Sequence, residues 1–332
     1  MSKRNVTAAD VARIAGVSKW TVIRAFEPDA SISDGSRKRV REAAEVLGYR
    51  PNLLARSLAT RKTNQIAVLV DDFANPHKLP VLEALSLGLQ ADGMVLMLIN
   101  INRSFDQIEA LIHANQRQVD GIVLFANSLQ DAILEEGRAG KIKAPLIILA
   151  RESTIESIPS VTADAASSIE EIGCHLVERG YRRPGFMTGP AAQGSLVSRH
   201  RYFKEFWQRR GVENILLMHA GWYDRRLGES ALRKYLSETP RERRIDVLMC
   251  ENDVLAFGAL DVARSEFRLR VPQDIAVVGY DGIDLSGSLT YDLTTYEQPI
   301  AAMVDRTIGM LVGRIEYASI NLKGKLIVRG ST

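Results

Sequence analysis

Hydrophobic positions change their period along the chain, and the change divides it. Between residues 6 and 47 apolar residues recur three and four apart, the spacing of a helical face. Asp10, Val11, Ala12, Ile14 and Ala15 fit a first short helix after Thr7, a residue suited to cap a helix N-terminus. Gly16 can supply the positive φ that a tight turn requires. Ser18 then caps a second helix over Lys19–Phe26, with Val22 and Phe26 four apart on one face. Ser33 caps a third over Asp34–Leu47, with Val40, Ala43, Ala44 and Leu47 inward. Gly48–Asn52 breaks the pattern, and Pro51 suits the first turn of a short helix that runs to Thr60.

From Gln65 onward continuous apolar runs alternate with helical stretches. Strands are predicted over Ile66–Val70, Met94–Ile99, Gly121–Phe125 and Pro145–Leu149, with helices over Leu79–Ala91, Ser104–Gln116 and Leu129–Ala139. The pattern then repeats. Strands over Gly185–Gly189, Asn214–Ala220, Asp246–Cys250 and Ile275–Tyr280 alternate with helices over Ala165–Arg179, Leu196–Arg210, Arg225–Ser237 and Asn252–Phe267. Uninterrupted apolar strands between helices indicate parallel sheets covered on both faces. The fold class is therefore α/β: an all-α headpiece, then two similar lobes with a cleft between them. A last helix, Ile300–Tyr317, and a strand, Leu326–Val328, come too late to begin a third lobe and are expected to complete the first two.

Helix, glycine turn, helix is the form of a helix-turn-helix, in which the start of the second helix meets base edges in the major groove. Those residues here are Lys19, Trp20 and Thr21, with Arg24 one turn on. Any small three-helix unit shares this spacing, and charge favours the DNA reading. The 332 residues carry a net charge of +3, but residues 1–62 hold 13 Lys and Arg against 6 Asp and Glu, and the remainder 30 against 34. A basic head on a mildly acidic body suits a polyanionic partner. The cluster Arg37, Lys38, Arg39 and Arg41 is expected to supply phosphate contacts and long-range attraction.

At 46% apolar and 25% charged residues the composition is that of an ordinary globular protein. Cys174 and Cys250 lie in apolar surroundings and read as free thiols of a reducing compartment. No secretory signal and no apolar run of membrane-spanning length occur, so a cytoplasmic location is expected. The chain lacks a G-x-x-x-x-G-K-S/T loop, a G-x-G-x-x-G after a strand, an H-E-x-x-H and a G-x-S-x-G elbow, and its five His have no metal spacing. No enzyme activity, cofactor or metal is expected. Asn252–Asp253 reads as a helix cap and ligand contact.

The order and spacing of VTAADVARIAGVSKWTVIR and SRKRVREAAEVLGYRPNLLARSLAT resemble the headpiece of the lactose/galactose repressor (LacI/GalR) family. The likeness continues through DDFANP (Asp71–Pro76), QVDGIVLF (Gln118–Phe125), DVLMCENDVLAFGAL (Asp246–Leu260), VPQDIAVVGYDG (Val271–Gly282), LTTYEQP (Leu293–Pro299) and LIVRGST (Leu326–Thr332). It implies a ligand-responsive, sequence-specific repressor of carbohydrate-metabolism genes. The implied body has the periplasmic sugar-binding-protein fold, with three crossovers between lobes. The implied division is a DNA-binding domain at 1–49, a hinge helix and linker at 50–64, one lobe from 65–162 plus 293–321, and another from 163–292 plus 322–332. No heptad helix follows the core, so a homodimer on a pseudo-palindromic operator is expected. A sugar-binding protein of the periplasmic type without a regulatory role is the alternative.

The resemblance also assigns residues. Lys19 and Trp20 fall on the family's base-reading pair and Arg24 on its third reader. At Trp20 either contact with a thymine methyl or a core role is open. Ser18, Thr21, Ser33, Tyr49 and Asn52 match positions that contact phosphates or place the helix. Leu58 matches the leucine that enters the minor groove. Ile23 and the segment Phe26–Asp29 depart from the family pattern, which bears on loop geometry. In the core, His77, Lys78, Arg151, Ser195, Arg199, Tyr223, Asn252, Asp281 and Gln298 fall on effector positions, with Trp222 the alternative aromatic to Tyr223. His77 and Lys78 stand where apolar or aromatic residues are usual, and Ala150, often Asp in relatives, is followed by Arg151. With Arg199 this concentrates positive charge on the cleft, which favours a sugar acid or sugar phosphate. If instead Lys78 and Arg151 face solvent or pair with Glu152 or Asp72, a neutral sugar fits.

Overall fold

Side-chain caps fix the helix ends of the N-terminal unit. The structure is a computed structural model that describes residues 6–26, 30–52, 57, 60, 62–101, 107–127, 129, 134–135, 142–190 and 198–332. The chain forms two units, Met1–Thr63 and Asn64–Thr332. In the first, α1 spans Ala8–Ala15, α2 Lys19–Ala25 and α3 Asp34–Leu47. The Thr7 side chain accepts from Asp10 N–H, and the Asp10 carboxylate takes the Thr7 N–H at 3.0 Å, a reciprocal cap. Gly16 ends α1 at φ 64°. Ser18 Oγ accepts from Thr21 N–H at 3.1 Å, and Ser33 Oγ from Ser36 N–H at 3.3 Å. Small and β-branched residues (Val11, Ala12, Ala15, Val22, Ala25, Val40, Ala43, Ala44) form the core, so the helices approach closely. Arg37, expected among the phosphate contacts, instead donates to the Ala25 and Ala30 carbonyls at 3.1 and 2.8 Å. It satisfies the Ala25 carbonyl that the end of α2 leaves unpaired, and the Ala30 carbonyl before α3. The predicted short helix through Thr60 falls mostly outside the described residues, as does Leu58.

In the second unit, β1 (Gln65–Val70), β2 (Val95–Asn100), β3 (Gly121–Phe125), β4 (Leu146–Leu149), β5 (Ser160–Ala163) and β11 (Ile320–Leu322) form one sheet in the order β11-β5-β4-β3-β1-β2. Its pairings are parallel. The pleat sends Ile66, Val68 and Val70 to one face and Ala67 and Leu69 to the other. The first face packs on α4 (Lys78–Ala91) and α10 (Ile300–Leu311), the second on α5 (Gln107–Gln116). This double burial is why the strands are apolar throughout. β2 is the exception: it is the sheet edge, and its Val95 is 61% exposed.

The second sheet holds β6 (Pro184–Thr188), β7 (Leu216–His219), β8 (Val247–Cys250), β9 (Ala276–Asp281), β10 (Thr294–Glu297) and β12 (Lys325–Ile327), in the order β12-β10-β9-β8-β6-β7. Only β12 runs antiparallel to its neighbour. On one face Phe186, Val247, Met249 and Val278 meet α6 (Ala165–Glu178) and α7 (Ser198–Gln208). On the other Met187, Leu248 and Val277 meet α8 (Arg225–Glu238) and α9 (Asp253–Asp261). One boundary needs correcting. Residues 293–297 were expected in the first lobe, but Thr294–Glu297 pairs with β9 and so belongs to the second sheet. The chain returns to the first lobe only after Gln298, with α10. Cys250 is buried, whereas Cys174 is half-buried on α6 beside Glu170 and Arg210, a more polar setting than its neighbours in sequence suggest.

Helices α8 and α9 cross where side chains are absent. A Cβ at Gly258 would lie 2.1 Å from the Arg225 carbonyl oxygen and 2.7 Å from Glu229 N. Gly258→Ala is expected to cost about 1–3 kcal/mol through this clash, lowering the melting temperature by several degrees in thermal unfolding. An unchanged or raised value, the usual effect of Gly→Ala at an open helical site, would show that the helices do not approach so closely.

Candidate functional sites

The first site is the exposed face of α2. Val22 and Ala25 face the core, so Lys19, Trp20, Ile23 and Arg24 are left outward. Trp20 is 64% exposed, which removes the core-aromatic reading. The Arg24 guanidinium lies 4.3 Å from its ring centroid, a cation–π pair across one helical turn. The face thus presents a flat apolar plate with a cation on it. Thr21 Oγ1 pairs with Ser18 Oγ at 2.9 Å, so both hydroxyls build the N-terminal cap. Tyr49 packs on Phe26 with ring centroids 6.0 Å apart, and burial raises its phenol pKa. Ser33 caps α3, and Asn52 is exposed.

The second site lies between the lobes of the other unit, at the carboxyl ends of their strands. There a cavity of about 60 Å³ is lined by His77, Lys78 and Arg151 from the first lobe. Arg199, Tyr223, Asn252 and Asp281 come from the second lobe, and Gln298 from the crossover before α10. Ser195 lies outside the described residues. The other eight expected effector residues therefore converge on one cavity.

Their charges are largely committed to the protein itself. Lys78, 2% exposed, sits 3.2 Å from Asp71 and donates to the Phe125 carbonyl at 2.9 Å, its Nζ 3.9 Å from the centre of the Phe125 ring. Burial lowers its pKa, and Asp71 opposes that shift. Arg151 donates to the carbonyls of Ala126, Leu129 and Glu152 at 3.1–3.2 Å. The two cations read as effector contacts thus clamp loops, which corrects the basis for expecting an anion. Arg199 differs. It stacks on Tyr280 at 4.2 Å and lies 3.9 Å from Asp281 Oδ1. Burial works against its charge, but Tyr280, Glu251, Tyr223 and Asp281 hold its pKa above the ordinary value.

Acids behind the cavity set its shape. Asp253 is fully buried; its carboxylate accepts from Thr295 Oγ1 at 2.6 Å and Ile283 N–H at 2.9 Å. Burial, then the nearby Asp281, raises its pKa well above the carboxylate range. These bonds hold the turn after β9, where Asp281 takes φ 114°. Asn252 caps α9 by accepting from Leu255 N–H at 3.0 Å. Glu251, which sequence reasoning missed, accepts from Gly189 N–H at 2.6 Å and bonds Tyr223; burial raises its pKa. Phe125, Asn127 and Tyr280 were also missed as lining residues. Their available signal was position, each at or just past the carboxyl end of a strand, where open α/β sheets bind ligands. Tyr223, not Trp222, lines the cavity. Trp222 donates across the lobes to Asp72 at 3.2 Å.

The chain's relatives agree with this architecture. Residues 7–52 match the model for bacterial regulatory proteins of the lacI family, and residues 63–315 that for periplasmic binding proteins and the sugar binding domain of the LacI family. A PurR-type HTH transcriptional repressor of Serratia proteamaculans is 30% identical, over 98% of this chain and 96% of the relative. A ribose operon repressor of Halalkalibacterium halodurans is 28% identical, over 98% and 97%. The Lac repressor dimer bound to operator and the anti-inducer ONPF superposes with a TM-score of 0.85 at 25% identity, covering 99% of each chain. The transcriptional regulator CelR in complex with cellobiose gives 0.70 at 25% identity, covering 99% of this chain and 100% of that one. Among the described residues no helix is long and apolar enough to cross a membrane. The chain belongs to the LacI family: it is a DNA-binding transcriptional regulator with a helix-turn-helix headpiece and a periplasmic-binding-type ligand-binding core.

Proposed function

We propose that this regulator is a cytoplasmic homodimeric repressor of carbohydrate-metabolism genes whose hold on a pseudo-palindromic operator is set by a sugar or sugar derivative in the cleft. The convergence of the eight effector residues on one interlobe cavity is the observation that carries the reading. Amides (Asn75, Asn127, Asn252, Gln298), a carboxylate (Asp281) and a guanidinium (Arg199) stand among the rings of Phe125, Tyr223 and Tyr280. Alternating donors and acceptors with aromatic faces suit a hydroxylated ring. A cavity of about 60 Å³ holds a few waters, so an effector of sugar size enters by parting the lobes or turning Tyr223. The bond from Trp222 to Asp72 spans the same gap. Ligand binding and lobe closure are thereby coupled.

In the headpiece, Lys19 and Arg24 approach guanine edges and Trp20 packs on a thymine methyl. Ser18, Thr21, Ser33, Tyr49 and Asn52 place the helix against phosphates, and Leu58 is the minor-groove wedge. Residues 1–49 and 50–64 act as reader and hinge. Exposed Leu79 and Leu87, two turns apart on α4, and Val95 and Leu98 on edge strand β2 support dimer contacts in the core.

A duplex enriched from a random pool on the full-length protein tests the reading. It should carry a pseudo-palindrome, and its retention in a mobility-shift assay should respond to one member of a panel of sugars, sugar acids and sugar phosphates. Failure to enrich any sequence would defeat it. Trp20→Ala, at an exposed site, should leave stability within about 0.5 kcal/mol yet weaken that duplex about 5- to 100-fold, the worth of one good base contact. Equal binding by Trp20→Ala would remove Trp20 from the readers. Trp222→Phe deletes one cross-lobe hydrogen bond of about 0.5–1.5 kcal/mol. It should speed amide exchange in residues 71–78; unchanged exchange there would mean that the bond does not hold the lobes.

A further inference from the structure

Among the described residues that line the cavity, one buried polar atom is left over. His77 is 5% exposed and lines the cavity, and its Nδ1 has no hydrogen-bond partner among the described residues. Its other ring nitrogen is accounted for by a relay. Asp281 Oδ1 receives Gln298 Nε2 at 2.7 Å. A carboxylate oxygen at that distance requires the amide NH₂, not the amide oxygen, so the orientation of Gln298 is fixed. The same Nε2 stands 3.4 Å from His77 Nε2. An amide nitrogen only donates, so His77 Nε2 must accept, and the ring proton of the neutral imidazole sits on Nδ1. Burial, which lowers the His77 pKa, keeps the ring in that neutral form against the opposing pull of Asp281, with Lys78 and Arg199 also disfavouring its charge. Phe125, edge-on at 6.2 Å, offers no polar partner. The outcome is a buried N–H without an acceptor among the described residues, a group that any acceptor reaching it would stabilise.

We propose that His77 selects the effector's functional group: its Nδ1–H donates to an oxygen acceptor on the ligand, with the Arg199 guanidinium as second donor. This rests on the cleft being the effector site and names what it recognises there. The Arg199 fork makes no hydrogen bond to a described residue and lies 3.9 Å from the same Asp281 oxygen that anchors the relay. Both residues line the cavity, and a ligand group that satisfies such donors is a carboxylate, carbonyl or hydroxyl oxygen. An ammonium group or a deoxy position there leaves the donors unpaired. Lys78 and Arg151 take no part, because their donors already serve Asp71 and main-chain carbonyls.

The test uses full-length protein labelled with ¹⁵N-histidine and a long-range ¹H–¹⁵N correlation, the His77 signals being those lost in His77→Gln. Between pH 8 and 7 the ring should show the neutral, Nδ1-protonated tautomer. Gln298→Leu, checked for an unchanged melting temperature, should release it to a mixture. Sodium formate, an acceptor-only probe small enough for the cavity, should shift the Nδ1–H pair saturably. Methylammonium chloride at equal ionic strength should leave it in place. An Nε2-protonated ring, an imidazolium at pH 7, or equal responses to the two probes would overturn the proposal. Duplex retention that no sugar alters, with the formate shift intact, would defeat the effector reading alone and leave the donor standing.

Discussion

The buried ion pair between Lys78 and Asp71 is the interaction on which the cleft depends. An ammonium withdrawn from water costs several kcal/mol, and removing one partner of such a pair typically costs about 3–5 kcal/mol because the other is left uncompensated. Here the charge is met at 3.2 Å by Asp71, by the Phe125 carbonyl and by the face of the Phe125 ring. These partners come from the ends of β1 and β3, and Lys78 opens α4. Asp71 also accepts the Asn127 N–H at 2.9 Å. One charge therefore ties two strands, a helix and a loop at a single point. The segment from Asp71 to Lys78, which carries Asn75 and His77, is held at both ends by the same pair. Satisfying the charge internally leaves Lys78 little to offer a ligand, and this separates its role from that of Arg199.

Backbone strain collects along the same edge. Asp72, Ala150 and Asp281 have φ of 52°, 66° and 114° although none is glycine. Each stands at the carboxyl end of a strand: after β1, after β4 and at the end of β9. Such conformations cost about 1–3 kcal/mol apiece and persist only where the surroundings over-determine them. The surroundings here are identifiable. Trp222 binds Asp72, Arg151 anchors the chain beside Ala150 through three carbonyls, and Asp253 holds the turn beyond Asp281. Strain and clamp together turn side chains toward the gap instead of continuing the strand.

The sequence is most legible where one physical term dominates. Helix α3 begins and ends where Ser33 and Leu47 predict, because capping and a single apolar face point the same way. The buried strands β1, β3 and β8 are readable because apolar side chains on both faces allow no other placement. β5, β10 and β11 were not predicted. Ser160, Thr162, Thr294, Thr295 and Asn321 break the apolar run, and their polar atoms are satisfied only by partners far along the chain, such as Asn321 for Thr162 and Asp253 for Thr295. That is also why residues 293–297 fell to the wrong lobe. Within the site, residue identity located the cavity but not the electrostatics. Lys78, Arg151 and Arg199 look alike as letters, and only the partners supplied by β1, β3 and β9 show that one of the three keeps its hydrogen-bonding capacity for a ligand. Glu251 was overlooked between Cys250 and Asn252 because its partners, Gly189 and Tyr223, are remote in sequence.

A ligand shifts a conformational equilibrium only by the difference in its affinity for the two states. The groups able to supply that difference here are those that join the lobes. Asp281 belongs to the second lobe, Gln298 to the crossover and His77 to the first, and their hydrogen bonds form one path across the gap. Parting the lobes separates His77 from Gln298 and removes the donor that fixes its tautomer. The ring is then free to place its proton on either nitrogen. A ligand that has entered the cleft gains the fixed Nδ1–H only as the lobes close over it again, and each good hydrogen bond of about 1 kcal/mol made on closing adds to the bias. On the role proposed for His77, recognition of an effector oxygen and closure of the lobes are a single equilibrium, set by one carboxylate, one amide and one imidazole.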